Sequence, residues 1–427
     1  MRSRTDKSID PESANPHSSR RRQFLQTAGA LTLASSSAKV SALPAARGTK
    51  LLTVMMRGGY DAANFLVPIT SEDYYAARPT IAIARPNSGA ADAAIAIDEH
   101  WGLNPGVQAH FLPLYQAKQA LLIPYSGNLS APRSHFEAQD LMEQGLAPNT
   151  LHATHQSGWM GRLIERLSTG GTGDAGISFT RNLALSMKGP MLVPNIALAN
   201  GKATRSNPAH DAAMRVLYRG SPLEQLVEEG IATQNTVADT LNQPDKLQQE
   251  MTAASRGAPD PAAFEKQMSA IARLMRTHQA YSIGFVDVGG WDTHVAQGNG
   301  RGQLTRKLGD LSAGLAAYAR EMGPAWNHTI VLVISEFGRT FKENGNRGTD
   351  HGHGTVMWVL GGGLRGGRLA GRQEPLTNRM LNEQRDLPVY NDYRGVAAEA
   401  IEALYGLSAK DMNYILPGAP KLGLKLV

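Results

Sequence analysis

Short, largely apolar runs recur along the chain, each closed by glycine or by a polar turn. They lie at 51–56, 121–125, 196–198, 281–288, 329–334 and 355–360. A strand wetted on one face alternates apolar with polar residues, whereas a run that stays apolar is buried on both faces, as in a mainly parallel sheet covered by helices. Between the runs the period changes. Leu304, Leu308, Leu311, Leu315 and Met322 recur at helical spacing until Pro324 stops the pattern. Residues 226–275 are polar, rich in Gln and Ala and broken at Pro244, Pro259 and Pro261, which predicts helices covering the sheet or inserted beside it. Residues 392–407 predict a closing amphipathic helix. The alternation predicts an α/β fold, a three-layer α/β/α sandwich around a mainly parallel sheet.

The first 42 residues do not join this pattern. Ser19-Arg20-Arg21-Arg22-Gln23-Phe24-Leu25 precedes a weakly apolar run from Ala28 to Ala34, and then Val40-Ser41-Ala42, whose small residues suit cleavage after Ala42. This order reads as a twin-arginine signal peptide, which implies the twin-arginine translocase as a partner during export and a periplasmic location. No composition shift marks a further boundary, so 43–427 is expected to be one domain with a helical insertion near 226–275. No later apolar run approaches the roughly 18 residues that cross a bilayer, so no stable membrane insertion is expected.

Charge then loses most of its weight. The formal net charge of +6 includes Arg2, Arg4, Lys7, Arg20, Arg21, Arg22 and Lys39 against Asp6, Asp10 and Glu12, so the remainder carries about +2. No basic stripe interleaved with aromatics follows, and no nucleic-acid partner is expected. With no cysteine in the chain, disulfide scaffolds, cysteine nucleophiles and thiolate metal sites are excluded. Any metal must sit on His, Asp or Glu.

In open α/β sheets ligands bind beyond the carboxyl ends of the strands, so the residues that end each run are the informative ones. The run at 51–56 leads to Asp61, the run at 281–288 to Asp292 and His294, and the run at 329–334 to Glu336; His351 and His353 follow close behind. Three carboxylates and three imidazoles from distant points of the chain make a one- or two-metal inventory. Mixed carboxylate and imidazole suit Zn, Mn or Fe better than Mg or Ca. Asp292 with His294, and His351 with His353, are spaced two apart and so point the same way in extended chain. Ser134 stands between Arg133 and His135 at an expected helix start, where two readings hold. Its hydroxyl is a nucleophile once activated, or it forms a capping box with Glu137. Arg57, Arg133, Arg339 and Arg347 lie inside these motifs and offer bidentate donors to a phosphate or sulfate.

Taken together, the twin-arginine leader, Met56-Arg57-Gly58-Gly59-x-Asp61, Trp101-Gly102-Leu103-x-Pro105, Arg133-Ser134-His135-Phe136-Glu137, Gly158-Trp159, Gly290-x-Asp292-Thr293-His294, Ser335-Glu336-Phe337-Gly338-Arg339 and Thr349-Asp350-His351-Gly352 resemble the exported bacterial family known as domain of unknown function 1501. That family in turn resembles the alkaline phosphatase and sulfatase superfamily. The resemblance implies an alkaline phosphatase-like sandwich, one or two metals at strand ends and a hydroxyl nucleophile. It puts Asp61, Asp292, His294, Glu336 and His351 or His353 at metal-ligand positions, and Ser134, or second Ser130, at the nucleophile. Phe337 departs from the pattern, standing where a ligand His is usual.

The function expected from these readings is a periplasmic metal-dependent hydrolase of phosphate or sulfate esters. Asp61, Asp292, His294, Glu336, His351 and His353 would hold a divalent metal, Zn or Mn; Ser134 would attack a small anionic ester, and Arg133 and Arg339 would steady its oxygens. The alternative is a non-catalytic envelope protein whose degenerate metal site binds a ligand or assembles a partner.

Overall fold

The computed structural model describes residues 48–130, 132–147, 157–168, 175–197, 208–221, 224, 228 and 246–427. The expected signal peptide, and residues 229–245 of the expected insertion, lie outside them.

Five of the apolar runs become adjacent strands: β1 (Lys50–Met56), β5 (Ala120–Gly127), β7 (Ile283–Val288), β8 (Thr329–Ser335) and β9 (Thr355–Leu360). With β6 (Gly176–Phe179) and β10 (Asn391–Asp392) they form one seven-stranded sheet in the order β10-β5-β9-β8-β1-β7-β6. The β1–β7, β1–β8, β6–β7 and β5–β10 pairs are parallel, and only β9 runs against its neighbours β5 and β8. Of the run at 196–198, residue 198 lies outside the described residues. Just before it, Asn195 makes a single bridge to Ser178 of β6, and Pro194 next to it has no amide hydrogen to donate to a ladder.

Both faces of the sheet are dry, as strands without alternation require. Leu52, Val54 and Met56 of β1 face one side, where they join Val286, Val331 and Val333. That side is closed by two helices, α3 (Phe264–Thr277) and α4 (Gln303–Met322), which bring Ile271, Met275, Leu308, Leu311 and Leu315 to the same core. Leu51, Met55, Phe285 and Leu332 point the other way and are also buried. Along that side runs α5 (Tyr393–Tyr405), which touches β1 and β8 and buries Val396, Ala400 and Ile401. The architecture is therefore a three-layer α/β/α sandwich with a mainly parallel sheet. A small antiparallel sheet of β2 (Leu66–Pro68), β4 (Trp101–Leu103) and β3 (Ile95–Ala96) packs into the first core through Leu66, Trp101 and Leu103.

Two further helices are α1 (His135–Gln144), which follows β5, and α2 (Trp159–Leu167). The strand directions put the carboxyl ends of β1, β5, β7 and β8 and the amino end of β9 on one rim. Met56 is level with Val288 and with Ser335 across that rim. Among the described residues no helix is long and apolar enough to cross a membrane.

Candidate metal centre

Each strand end hands over a short loop, and four of these loops meet. The turn after β1 passes through Gly58 at φ +124° and Gly59 at φ +62°, conformations that L side chains rarely adopt. A Cβ on Gly58 would sit 2.6 Å from the amide of Asp292, and one on Gly59 would sit 2.4 Å from the ring of Phe337. Glycine there lets the loops after β1, β7 and β8 close on one another. The loop after β8 is stitched to the approach to β9, with Gly338 N–H donating to His353 O (2.8 Å) and Gly352 N–H to Gly338 O (2.9 Å).

Three ligand atoms converge in this junction. One from each of His135, Asp292 and His351 lie within 4.8 Å of one another. His135, the first residue of α1, is buried, and its Nδ1 is 2.9 Å from Glu336 Oε1. A carboxylate accepts only, so Nδ1 carries a proton toward Glu336 and Nε2 is turned toward Asp292. That Nε2 is 3.4 Å from Asp292 Oδ2 and has no hydrogen-bond partner. His351 is fixed in the same way. Its Nδ1 donates to the carbonyl of Arg133 (2.8 Å), so its Nε2 faces inward, 3.4 Å from Asp292 Oδ1.

His294 stands beside the trio. Its Nδ1 is 3.0 Å from Asp350 Oδ1, and its Nε2 is 3.0 Å from both Asp292 Oδ1 and His351 Nε2. The two Nε2 atoms thus face each other at 3.0 Å beside a carboxylate oxygen, a contact that a proton or a metal cation between them satisfies. Nitrogen and carboxylate donors, with the outer imidazole nitrogens tied down, match the way a divalent transition ion is held.

Electrostatics point the same way. Burial alone would lower the His135 pKa, yet the Asp292 and Glu336 carboxylates override it and raise it to about 9. Burial pushes the Asp292 carboxyl up, but His135, His294, His351 and the Arg339 guanidinium together hold it far below the usual carboxylate range. Burial also opposes ionisation of Glu336, and its bonds from His135 and Gln139 keep its pKa low. The junction thus calls for a positive charge at the inward nitrogens.

The other expected site residues lie elsewhere or serve differently. Asp61 is taken up by Arg78, whose Nη1 and Nη2 reach its two oxygens at 2.5 and 3.0 Å, and by Gln297 Nε2 at 2.6 Å. It is held outside the His135–Asp292–His351 group. Glu336 faces Gly58 N–H, Gln139 Nε2 and His135 rather than the centre. His353 spends Nε2 on the carbonyl of Asn128 and Nδ1 on Asn382, so neither nitrogen is open. Arg339 gives one Nη2 hydrogen to Asp292 Oδ1, and its buried Nε and Nη1 have no partner. Arg133 is exposed and paired with Glu383 and Asp386. Arg57 is buried in ion pairs with Asp287 and Glu143 and cannot reach a substrate. Ser134 is exposed at the N-cap of α1, but its side chain makes no capping bond. Ser130 is exposed, its amide held by Asn128 Oδ1 at 3.0 Å.

The candidate ligand that the sequence does not mark is His135. It lies beside Ser134 in the first turn of a helix rather than at a strand end, so the strand-end pattern does not single it out. Phe337 packs its ring against His135 (centroids 4.8 Å) and His351 (5.1 Å), so where a ligand was expected there is instead an apolar wall that orients two imidazoles.

Known proteins resemble the chain as follows. The sequence model of a family described as "Protein of unknown function (DUF1501)" matches residues 49–415. No curated protein matches the chain in sequence. Among solved structures, a protein of the alkaline phosphatase superfamily from Vibrio parahaemolyticus is similar, with a TM-score of 0.38 and 8% identity over 84% of this chain and 67% of that one. A sulfatase candidate from Bacteroides fragilis is similar with a TM-score of 0.37 and 9% identity over 88% of this chain and 76% of its own.

Proposed function

Since the chain belongs to the DUF1501 family of proteins of unknown function, we propose from its own residues that it is a metal-dependent hydrolase of phosphate or sulfate esters, working in the periplasm. The observation that carries this reading is the convergence of His135, Asp292 and His351 within 4.8 Å, with the outer nitrogen of each imidazole already tied to an acceptor. His135 Nε2, Asp292 and His351 Nε2 would hold the ion, with His294 adjoining. A divalent ion there supplies Lewis-acid polarisation of an ester and lowers the pKa of a hydroxyl or water beside it.

The chain's own groups suit an anionic substrate. Arg339 has two donors without partners next to Asp292, the kind of preset donor that steadies oxygens as they gain charge. Ser134 offers an exposed hydroxyl free of any capping bond, one residue before the ligand His135. Asp292, Glu336 and Asp350 against Arg339 leave the junction two charges negative, which a bound divalent ion, whether Zn or Mn, would neutralise. The leader motif supports export by the twin-arginine translocase, a route for proteins that fold before crossing.

Elemental mass spectrometry of protein purified without chelators tests this, together with turnover of aryl phosphate, aryl phosphodiester and aryl sulfate. The wild type should carry about one equivalent of metal, lost along with turnover in His135→Ala and Asp292→Ala. A folded wild type that is metal-free and inert on all three esters sinks the proposal. The Phe337 wall over two imidazoles favours a second reading, a binding or assembly protein that keeps the metal without catalysis. Ser134→Ala separates the two, because it abolishes the hydrolase and leaves a binding protein intact.

A further inference from the structure

On the inward face of α1, three polar residues at successive turns are all buried: His135, Gln139 and Glu143. Spacing of four puts them in one row. A helix face turned to the interior is normally apolar, so a buried polar row is kept only if every group is bonded. Here the bonds form one chain. Arg57 Nε donates to Asp287 Oδ2 (2.7 Å), and its Nη1 donates to Glu143 Oε1 and to Gln139 Oε1, each at 2.8 Å. Gln139 Nε2 donates to the carbonyl of Ala254 and to Glu336 Oε1, again at 2.8 Å. Glu336 Oε1 then accepts from His135 Nδ1 at 2.9 Å.

The sense of this chain is not free. A guanidinium has donors only, so the Gln139 oxygen must face Arg57 and its NH2 must face Glu336. Glu336 receives that donor, Gly58 N–H at 2.8 Å and Ser335 Oγ at 3.0 Å, and so is held as an acceptor aimed at His135 Nδ1. We propose that Arg57 and Gln139 form a positioning relay that fixes Glu336 and, through it, turns His135 Nε2 toward the metal, so that a glutamine touching no ligand atom sets metal affinity. This rests on the metal reading above. Gln139 is a positioning residue, not a catalytic one.

Metal-free full-length protein titrated with Zn2+ against a chromophoric chelator tests the relay. Gln139→Met keeps the length of the side chain and removes its three bonds, to Arg57, Ala254 and Glu336, and should weaken Zn2+ binding about 10- to 100-fold. Gln139→Glu keeps the bond to Arg57 but sets a carboxylate against Glu336, and should weaken it further. Leu315→Ala in α4, a buried apolar truncation outside the relay, lowers the melting temperature and should leave Zn2+ affinity unchanged. With Co2+ in place of Zn2+, the visible spectrum of Gln139→Met should shift, which a loss of packing alone does not produce. If Gln139→Met does not fold, Gln139→Glu carries the comparison. Wild-type affinity in a folded Gln139 variant, or an equal loss in Leu315→Ala, overturns the relay while leaving the metal site standing. A wild type that binds no Zn2+ overturns the metal reading and the relay with it.

Discussion

On the proposed metal reading, His135 would carry two duties that respond to pH in opposite senses. Its pKa rises from 6.5 to about 9 because Asp292 and Glu336 overcome the cost of burial. A raised pKa stabilises the folded state fully below 6.5, and that contribution fades as pH rises through 9. The metal-free protein should therefore melt at progressively lower temperature between pH 6.5 and 9. A divalent ion needs the unprotonated nitrogen, so adding Zn2+ should flatten or reverse this slope. Thermal melts with chelator and with Zn2+ across that range check both halves, and parallel curves would refute the assignment of His135. Arg57 makes a separate point. It was open to reading as a substrate clamp, yet it lies between Asp287 and Glu143, and burial raises the Asp287 pKa even against that neighbour. Arg57→Met strands two buried carboxylates and should cost about 3–5 kcal/mol in chemical denaturation. A cost under about 1 kcal/mol would place the guanidinium outside the core network.

At the scale of elements, continuous apolar runs were readable because burial on both faces leaves its mark in sequence. β9 occupies Thr355–Leu360, as its run predicts, and α4 ends at Met322, two residues before Pro324. The closing helix begins at Tyr393 with Asp392 accepting from Arg394 N–H, inside the expected 392–407. Edge strands left a fainter mark. β6 has four residues and β10 only two, too short for any period to show. The junction itself was half readable. Asp292, His294 and His351 could be seen because strand ends deliver them, whereas His135 and Gln139 required recognising a polar row on a helix face that packing turns inward. Asp61 shows the converse limit. Its place after β1 looked like a ligand position, but the Arg78 that claims it arrives from a helix end, and nothing in the spacing of Asp61 announces that partner.

At the scale of the molecule, the fold brings three chain-distant segments to one rim: α1, the loop after β7 and the approach to β9. An ion binding there bridges them. Hydrogen exchange with and without Zn2+ should show protection rising together in residues 135–144, 289–296 and 349–354, while α5 on the far layer stays unchanged. Protection confined to one segment would mean that the ion sits elsewhere.

Because β9 runs against β8 and beside it, the chain leaves the sheet at Ser335 and re-enters at Thr355 at the same end. Glu336, Phe337, Arg339, Asp350, His351 and His353 thus all ride on one excursion between two adjacent strands. That excursion is fastened to itself and to its neighbours, Gly338 N–H to His353 O, Thr340 N–H to Asp350 O and Phe341 N–H to Arg385 O. A change in one of its residues is therefore felt by the rest, and residues 336–354 must be grafted or redesigned as one unit rather than position by position.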